Sequence, residues 1–176
     1  MSTQQAISAL RERFAEIDFQ PAPLLKGKPS AAGQICVQVP PDRLIEVMTF
    51  LRDDPRTRFE QLCDLTCVDY LNFPEATERF GVIYSLLSLS LEHRLWAKCL
   101  LGDADPAVAS VTGVWRAADW LEREVYDMFG IRFIGHPDLR RLLTWEGFPA
   151  YPLRKDYPLH GRGEREAYEV FPRDVS

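Results

Sequence analysis

Apolar positions fall into a few clear periods along the chain. Over Thr3 to Ile17, Ala6, Leu10 and Phe14 share one helical face with Ile7 and Ile17 beside them, and Thr3 stands where a cap belongs. Gln20 to Gly33 holds three prolines, two glycines and two lysines, which is loop composition. From Gln34 to Val39, Ile35, Val37 and Val39 alternate with Gln34, Cys36 and Gln38, predicting a short half-buried strand that Pro40 and Pro41 end. Proline suits a first helical turn, and Leu44, Val47, Met48 and Leu51 recur at helical spacing until Asp53-Asp54-Pro55, predicting a second helix.

Phe59 to Tyr70, rich in Leu, Cys, Thr and Val, reads as a strand, or as a helical turn running into one. Phe80 to Ser90 and Arg94 to Leu101 are two apolar runs around the polar Glu92 and His93, the pattern of a hairpin. In the first run Phe80, Val82, Tyr84 and Leu86 fill one face, and Ile83, Leu87 and Leu89 the other. A strand greasy on both faces calls for extra helices or a partner protein. Asp119 and Glu122 have the spacing of a capping box, Leu121, Val125 and Met128 form a buried stripe, and Gly130 supplies a left-handed stop after about ten helical residues.

Beyond the helix the pattern changes. Gly130 to Gly163 contains five glycines and four prolines, yet also Phe133, Leu139, Leu142, Leu143, Trp145, Phe148, Tyr151, Leu153 and Tyr157. A solvated linker would not expose that much apolar surface, which costs about 25 cal/mol per Å2. The expected architecture is therefore α+β. Residues 1–130 form a small, mostly antiparallel sheet of about four strands packed with helices, and residues 131–176 form an extended C-terminal arm lying on its own domain or docking on partner subunits.

Charge and composition narrow the class. The net charge of −5 argues against nucleic-acid binding, which draws on clustered Lys and Arg, although Gly130 to Gly163 alone is +3 and leaves −8 for the rest. No apolar run approaches the length of a membrane-spanning helix, and the first twenty residues, with Arg11, Glu12, Arg13 and Glu16, do not read as a secretory signal, so a cytoplasmic chain is expected. The four cysteines, Cys36, Cys63, Cys67 and Cys99, then read as small buried hydrophobes rather than a disulfide framework. Cys63 and Cys67 are four apart, but no second pair repeats the spacing, so a Cys-ligated metal site is the weaker reading.

Candidate chemistry is sparse. Glu122 and Glu124 point about 200° apart on a helix, which favours a structural reading over an acid–base pair. Asp127, near the helix C-terminus, opposes the dipole and calls for a compensating cation such as an arm arginine. His136 sits in a Gly-His-Pro-Asp turn, and no nucleophile triad emerges by order. Gly161-Arg162-Gly163 lacks the strand and helix of a dinucleotide loop. In Pro152-Leu-Arg-Lys-Asp-Tyr-Pro158 two prolines hold an extended backbone around Arg154, Lys155 and Asp156, which fits an arm docked by charge-assisted hydrogen bonds.

The run Trp120-Leu-Glu-Arg-Glu-Val-Tyr-Asp-Met-Phe-Gly-Ile-Arg-Phe-Ile-Gly-His-Pro-Asp-Leu-Arg-Arg-Leu-Leu143, with Pro152 to Pro158 and the upstream Asp64-Leu-Thr-Cys-Val-Asp-Tyr70, closely resembles the thirty-kilodalton subunit family of respiratory complex I, the C-type subunits of the bacterial enzymes. The resemblance covers about residues 33 to 160, with small departures such as Ala150 where glycine is more usual. It implies a non-catalytic structural subunit of a proton-translocating NADH:quinone oxidoreductase. The arm would pack on the forty-nine-kilodalton (D-type) subunit near the B-type and I-type subunits, on the cytoplasmic side of the membrane and attached only through the complex. It implies no cofactor in this chain, with FMN and iron-sulfur clusters carried by partners. The motif positions Glu122, Glu124, Asp127, His136, Arg140, Arg141, Arg154, Lys155 and Asp156 then read as assembly and packing residues. The alternatives are the same module in a membrane-bound hydrogenase or ferredoxin-fed quinone reductase, or a stand-alone Cys-ligated metalloprotein.

Overall fold

The computed structural model describes residues 3–19, 21–22 and 35–164. Within them lie helices α1 (Thr3–Arg13), α2 (Leu44–Asp53) and α3 (Ala118–Phe129), and a sheet of β1 (Pro21–Ala22), β2 (Cys36–Gln38), β3 (Gln61–Asp69), β4 (Phe80–Ser88) and β5 (His93–Leu101). The sheet order is β1-β2-β5-β4-β3, with β2 parallel to β5 and the other neighbours antiparallel, an α+β arrangement. Of the loop expected over Gln20 to Gly33, all but β1 lies outside the described residues, as do arm residues 165–176.

α2 buries the four residues its spacing singled out, Leu44, Val47, Met48 and Leu51, behind a single 3-10 turn that opens with Pro41. α1 ends at Arg13, short of the expected Ile17, although Phe14 and Ile17 remain buried past its end. Thr3 is the first helical residue rather than a demonstrated cap, and its hydroxyl donates to the Arg94 carbonyl at 3.1 Å. The hairpin of β4 and β5 keeps register from Ser88–His93 to Phe80–Leu101. β3 pairs with β4 across an irregularity at Cys63. β2 is shorter than read, and Cys36, assigned to its polar side, is buried and paired with Trp96.

β4 lies between β5 and β3, which explains its doubly apolar sequence. Phe80, Val82, Tyr84 and Leu86 join one core cluster with the buried residues of α1, α2 and α3. On the opposite face the Tyr70 ring lies over Gly81, where an added Cβ would come within 2.7 Å of it. At Gly81, then, a loop ring rather than a helix lies against that face.

The start of α3 departs from expectation. Its N-cap is Ala117, with no side-chain cap, because the preceding turn satisfies the first amides and the Asp119 amide takes the Arg116 carbonyl at 3.3 Å. Glu122 turns inward instead, so there is no capping box. The stop at Gly130 is as expected, with φ +75° and its amide on the Tyr126 carbonyl at 2.8 Å. The chain then adds β7 (Arg132–Ile134), parallel to β6 (Ala107–Ala109), a pair too short to show a period in sequence.

Candidate assembly interface

The arm folds back on its own domain at two charged anchors. Asp127, fully buried near the end of α3, accepts from the amides of Leu142 (3.0 Å), Leu143 (2.7 Å) and Thr144 (2.8 Å), from the Thr144 hydroxyl, and from the Arg141 guanidinium at 2.7 Å. Burial alone would raise its pKa, but Thr144, Arg141 and the amides outweigh that and hold the carboxyl at about 2. Arg141 is the cation that the opposed helix dipole requires. Its remaining donors reach the Phe148 and Ala150 carbonyls at 2.8 and 3.1 Å, and it lies over the rings of Phe148 and Tyr151.

Tyr151 in turn fills the space beside Gly130, where a Cβ would sit 2.6 Å from the ring. Arg154 donates to the Phe129 carbonyl at 2.6 Å and stacks on both Tyr151 and Phe80, while the Leu153 amide reaches the Met128 carbonyl at 3.1 Å. The exposed carbonyl end of α3 is thereby closed by the arm, which meets a need every helix C-terminus has.

The second anchor was not legible in the sequence. Asp69, buried at the end of β3, accepts from Arg79 at 3.2 Å and from the amides of Leu71 at 2.9 Å and Lys155 at 2.8 Å. Burial raises its pKa, and these donors reverse the effect and leave it below the usual carboxylate value. Arg79, itself nearly buried, also pairs with Asp156 and Asp103, each at 2.9 Å. The only available signal was an aspartate closing an apolar strand run.

The remaining motif residues divide by environment. Glu122 is fully buried and accepts from the Val111 amide and the Ser110 hydroxyl, each at 2.7 Å, while burial pushes its pKa up to about 7 against those bonds. The His136 ring accepts from the Asp138 amide at Nδ1, so Nε2 carries the proton toward the Asp119 carbonyl at 3.1 Å. Arg140 pairs with Asp138 at 2.8 Å at the surface. Glu124 and the Lys155 side chain are exposed, with no ion pair among the described residues. Glu122 and Asp127 have pKa values pushed in opposite directions, as paired acid–base groups do, but one faces Ser110 and the other faces the arm, so they share no pocket. A shallow groove of about 420 Å3 beside the end of β5, lined by Pro41, Glu78, Leu101 and Asp105 among others, contains none of the nine motif residues.

Cofactor ligation is tested by the cysteines. On β3 a four-residue separation spans about 13 Å, far beyond what one metal bridges at about 2.3 Å per Zn–S bond. Cys63 is exposed and Cys67 is buried, with its thiol pushed up to about 12 by burial and then by Asp69. Among the described residues no three His, Cys, Asp or Glu side chains are grouped to hold a metal ion.

Several large apolar side chains are also exposed. Trp120 and Leu143 are each 64% exposed, and Ile134, Phe73, Leu153 and Leu159 are also open. Among the described residues no helix is long and apolar enough to cross a membrane.

Comparison with known proteins gives concordant findings. The family described as respiratory-chain NADH dehydrogenase, 30 Kd subunit, matches residues 37–163. The C 2 subunit of NADH-quinone oxidoreductase from Rhizobium etli is 54% identical over 123 residues, 70% of this chain, and the chain spans 64% of that relative's length. Among solved structures, Nqo5 as its trypsin-resistant fragment (1-134) is similar at TM-score 0.63 and 33% identity, covering 77% of this chain and 99% of the fragment. A chain of an archaeal respiratory membrane complex, the membrane-bound sulfane sulfur reductase, shares the fold at TM-score 0.67 and 18% identity, covering 97% of this chain and 96% of its own.

Proposed function

Because the chain belongs to the 30 Kd subunit family of the respiratory-chain NADH dehydrogenase, we propose that it is a structural subunit of the peripheral part of a proton-translocating NADH:quinone oxidoreductase. Its own residues serve assembly. Its partners are the forty-nine-kilodalton (D-type) subunit, with the B-type and I-type subunits nearby. FMN and the iron-sulfur clusters are carried by partner subunits, and electrons pass from NADH to quinone outside this chain. Attachment to the cytoplasmic side of the membrane runs through those partners.

One observation carries this reading. The arm uses buried charge to hold itself on α3, with Asp127 fully enclosed by Arg141 and three amides, yet it turns Leu143, Leu153 and Leu159 outward. A chain that fixed its own tail only for stability would bury those side chains, since each exposed one forfeits roughly 1.5–3 kcal/mol. An arm rigid at its root and apolar at its surface is built to be covered by another protein.

The test is to tag the chain in its native host, solubilise membranes mildly and identify the co-purifying proteins by mass spectrometry. The D-type, B-type and I-type subunits together with flavin-bearing NADH-input subunits are the expected set. A hydrogenase or ferredoxin-type set would move the chain to a sister complex, and recovery of the chain alone from the soluble fraction would overturn the proposal.

A further inference from the structure

Arginine and aromatic side chains alternate in one continuous row between the domain and the arm. The Arg79 guanidinium lies 4.9 Å from the centre of the Phe80 ring, and that of Arg154 lies 4.9 Å from the same ring. Arg154 then meets Tyr151 at 4.7 Å, Tyr151 meets Arg141 at 5.2 Å, and Arg141 meets Phe148 at 5.7 Å. Each cation is drawn to the negative face of a ring, and each of the two middle rings serves two cations or joins one to the next.

The two anchors sit at opposite ends of this row. Arg79, nearly buried, pairs with Asp69 at 3.2 Å and with Asp156 of the arm at 2.9 Å, and Asp69 accepts the Lys155 amide at 2.8 Å. At the other end Arg141 pairs with Asp127, which accepts the amides of Leu142, Leu143 and Thr144. The middle is held differently. Arg154 bonds a carbonyl rather than a carboxylate, donating to Phe129 at 2.6 Å at the negative end of α3. Two of the rings have little room to shift, because Phe80 is fully buried in the core and Tyr151 lies tight against Gly130.

We propose that this row couples the two anchors, so that the arm docks on its domain and leaves it as one cooperative unit rather than as two independent clasps. Arg154 is the coupling residue, since it alone touches both Phe80, on the Arg79 side, and Tyr151, on the Arg141 side. Opening the Asp69 end frees the segment that carries Arg154, which withdraws that guanidinium from Phe80 and from the Phe129 carbonyl and removes one of the two cations on Tyr151. Opening the Asp127 end withdraws Arg141 from Tyr151 and so loosens the ring on which Arg154 rests. Such coupling is reciprocal, so whatever steadies one end of the arm steadies the other. The exposed Leu143, next to the first anchor, and Leu153, next to the second, are then presented together. The coupling belongs to the chain itself and requires no particular partner.

The experiment is native-state hydrogen exchange on the full-length chain over a series of sub-denaturing urea concentrations. The Leu142 and Thr144 amides, both on Asp127, report on one end of the arm, and the Lys155 amide, on Asp69, reports on the other. The Val39 amide, on the Lys98 carbonyl at 2.8 Å, reports on the sheet. In the native chain the three arm amides are expected to merge onto one urea dependence that lies below that of Val39, as members of one cooperative unit do. Arg79→Met is expected to lower protection at Thr144 and Lys155 by the same factor, at least about tenfold, with Val39 unchanged. In an Arg154→Met background the same change is expected to act on Lys155 and no longer on Thr144, which closes a double-mutant cycle. Arg154→Lys keeps the charge but loses the flat face that lies against the rings, and is expected to uncouple the ends as Arg154→Met does. Separate urea dependences for the Asp127-bonded and Asp69-bonded amides would overturn the proposal, and that measurement needs no variant to fold. Loss of protection at Lys155 alone in Arg79→Met would also overturn it, as would a loss at Thr144 that persists in the Arg154→Met background.

Discussion

Asp127 and Glu122 lie five positions apart on one helix and respond to pH in opposite ways. Asp127 is held at about 2, below its unfolded value, so its contribution is present at neutral pH and is lost as pH falls toward 2. Asp127→Ala strands the largely buried Arg141 and is expected to cost about 3 kcal/mol or more in urea unfolding at pH 7. Glu122 is raised to about 7, so the folded state binds the extra proton between its unfolded value and pH 7, and stability falls as pH rises through that window. Glu122→Gln keeps an acceptor for the Val111 amide and can donate to Ser110, whose hydroxyl is also within 2.8 Å of Thr112. It is expected to flatten the thermal stability profile between pH 5 and 8 and to raise Tm at pH 8 by about 2–4 °C for each kcal/mol gained. Equal pH slopes for the variant and the native chain would refute the assignment.

At the scale of elements, the C-terminus of α3 is where helix and arm are matched. Gly130 serves two needs there, a left-handed φ of +75° and room for the Tyr151 ring, whereas Gly135 at φ +84° has open space around a Cβ. Gly135→Ala therefore carries only the conformational cost, about 1–2 kcal/mol, and Gly130→Ala is expected to lose more and to release the ring. Chemical denaturation of the two variants side by side measures the difference, and equal losses would mean that Tyr151 moves aside freely. The periods of α2, β4 and β5 are strong because each buries a whole face locally, so spacing alone reveals them. The start of α3 misled because a local turn gives the Asp119 amide to the Arg116 carbonyl, while tertiary packing draws the Glu122 carboxylate to Val111 and Ser110.

For the whole molecule, the uneven charge noted in the sequence has a physical layout. The arm carries cations both to bind its own domain, through Arg141 and Arg154, and to leave Lys155 and Arg162 toward the surface. Limited trypsin digestion of the free chain is expected to cut after Arg162 well before Lys155, whose amide is held by Asp69, or Arg141, whose side chain is held by Asp127 and two carbonyls. Fragment masses over a time course check the order, and the early cut is expected to vanish in the assembled complex.

Local and family-level features were in the sequence itself. Helical and strand periods, the glycine stop, the apolar load of the arm and the need for a cation near Asp127 all follow from neighbours within a few positions. The long joint motif identified the family. Only the tertiary structure decided which arginine answers Asp127, that Glu122 faces Ser110, that β2 runs parallel to β5, and that Asp69 joins Leu71 to an amide 86 positions away. Those choices depend on satisfying every buried donor and acceptor at once, a condition on the packed molecule that local spacing does not encode.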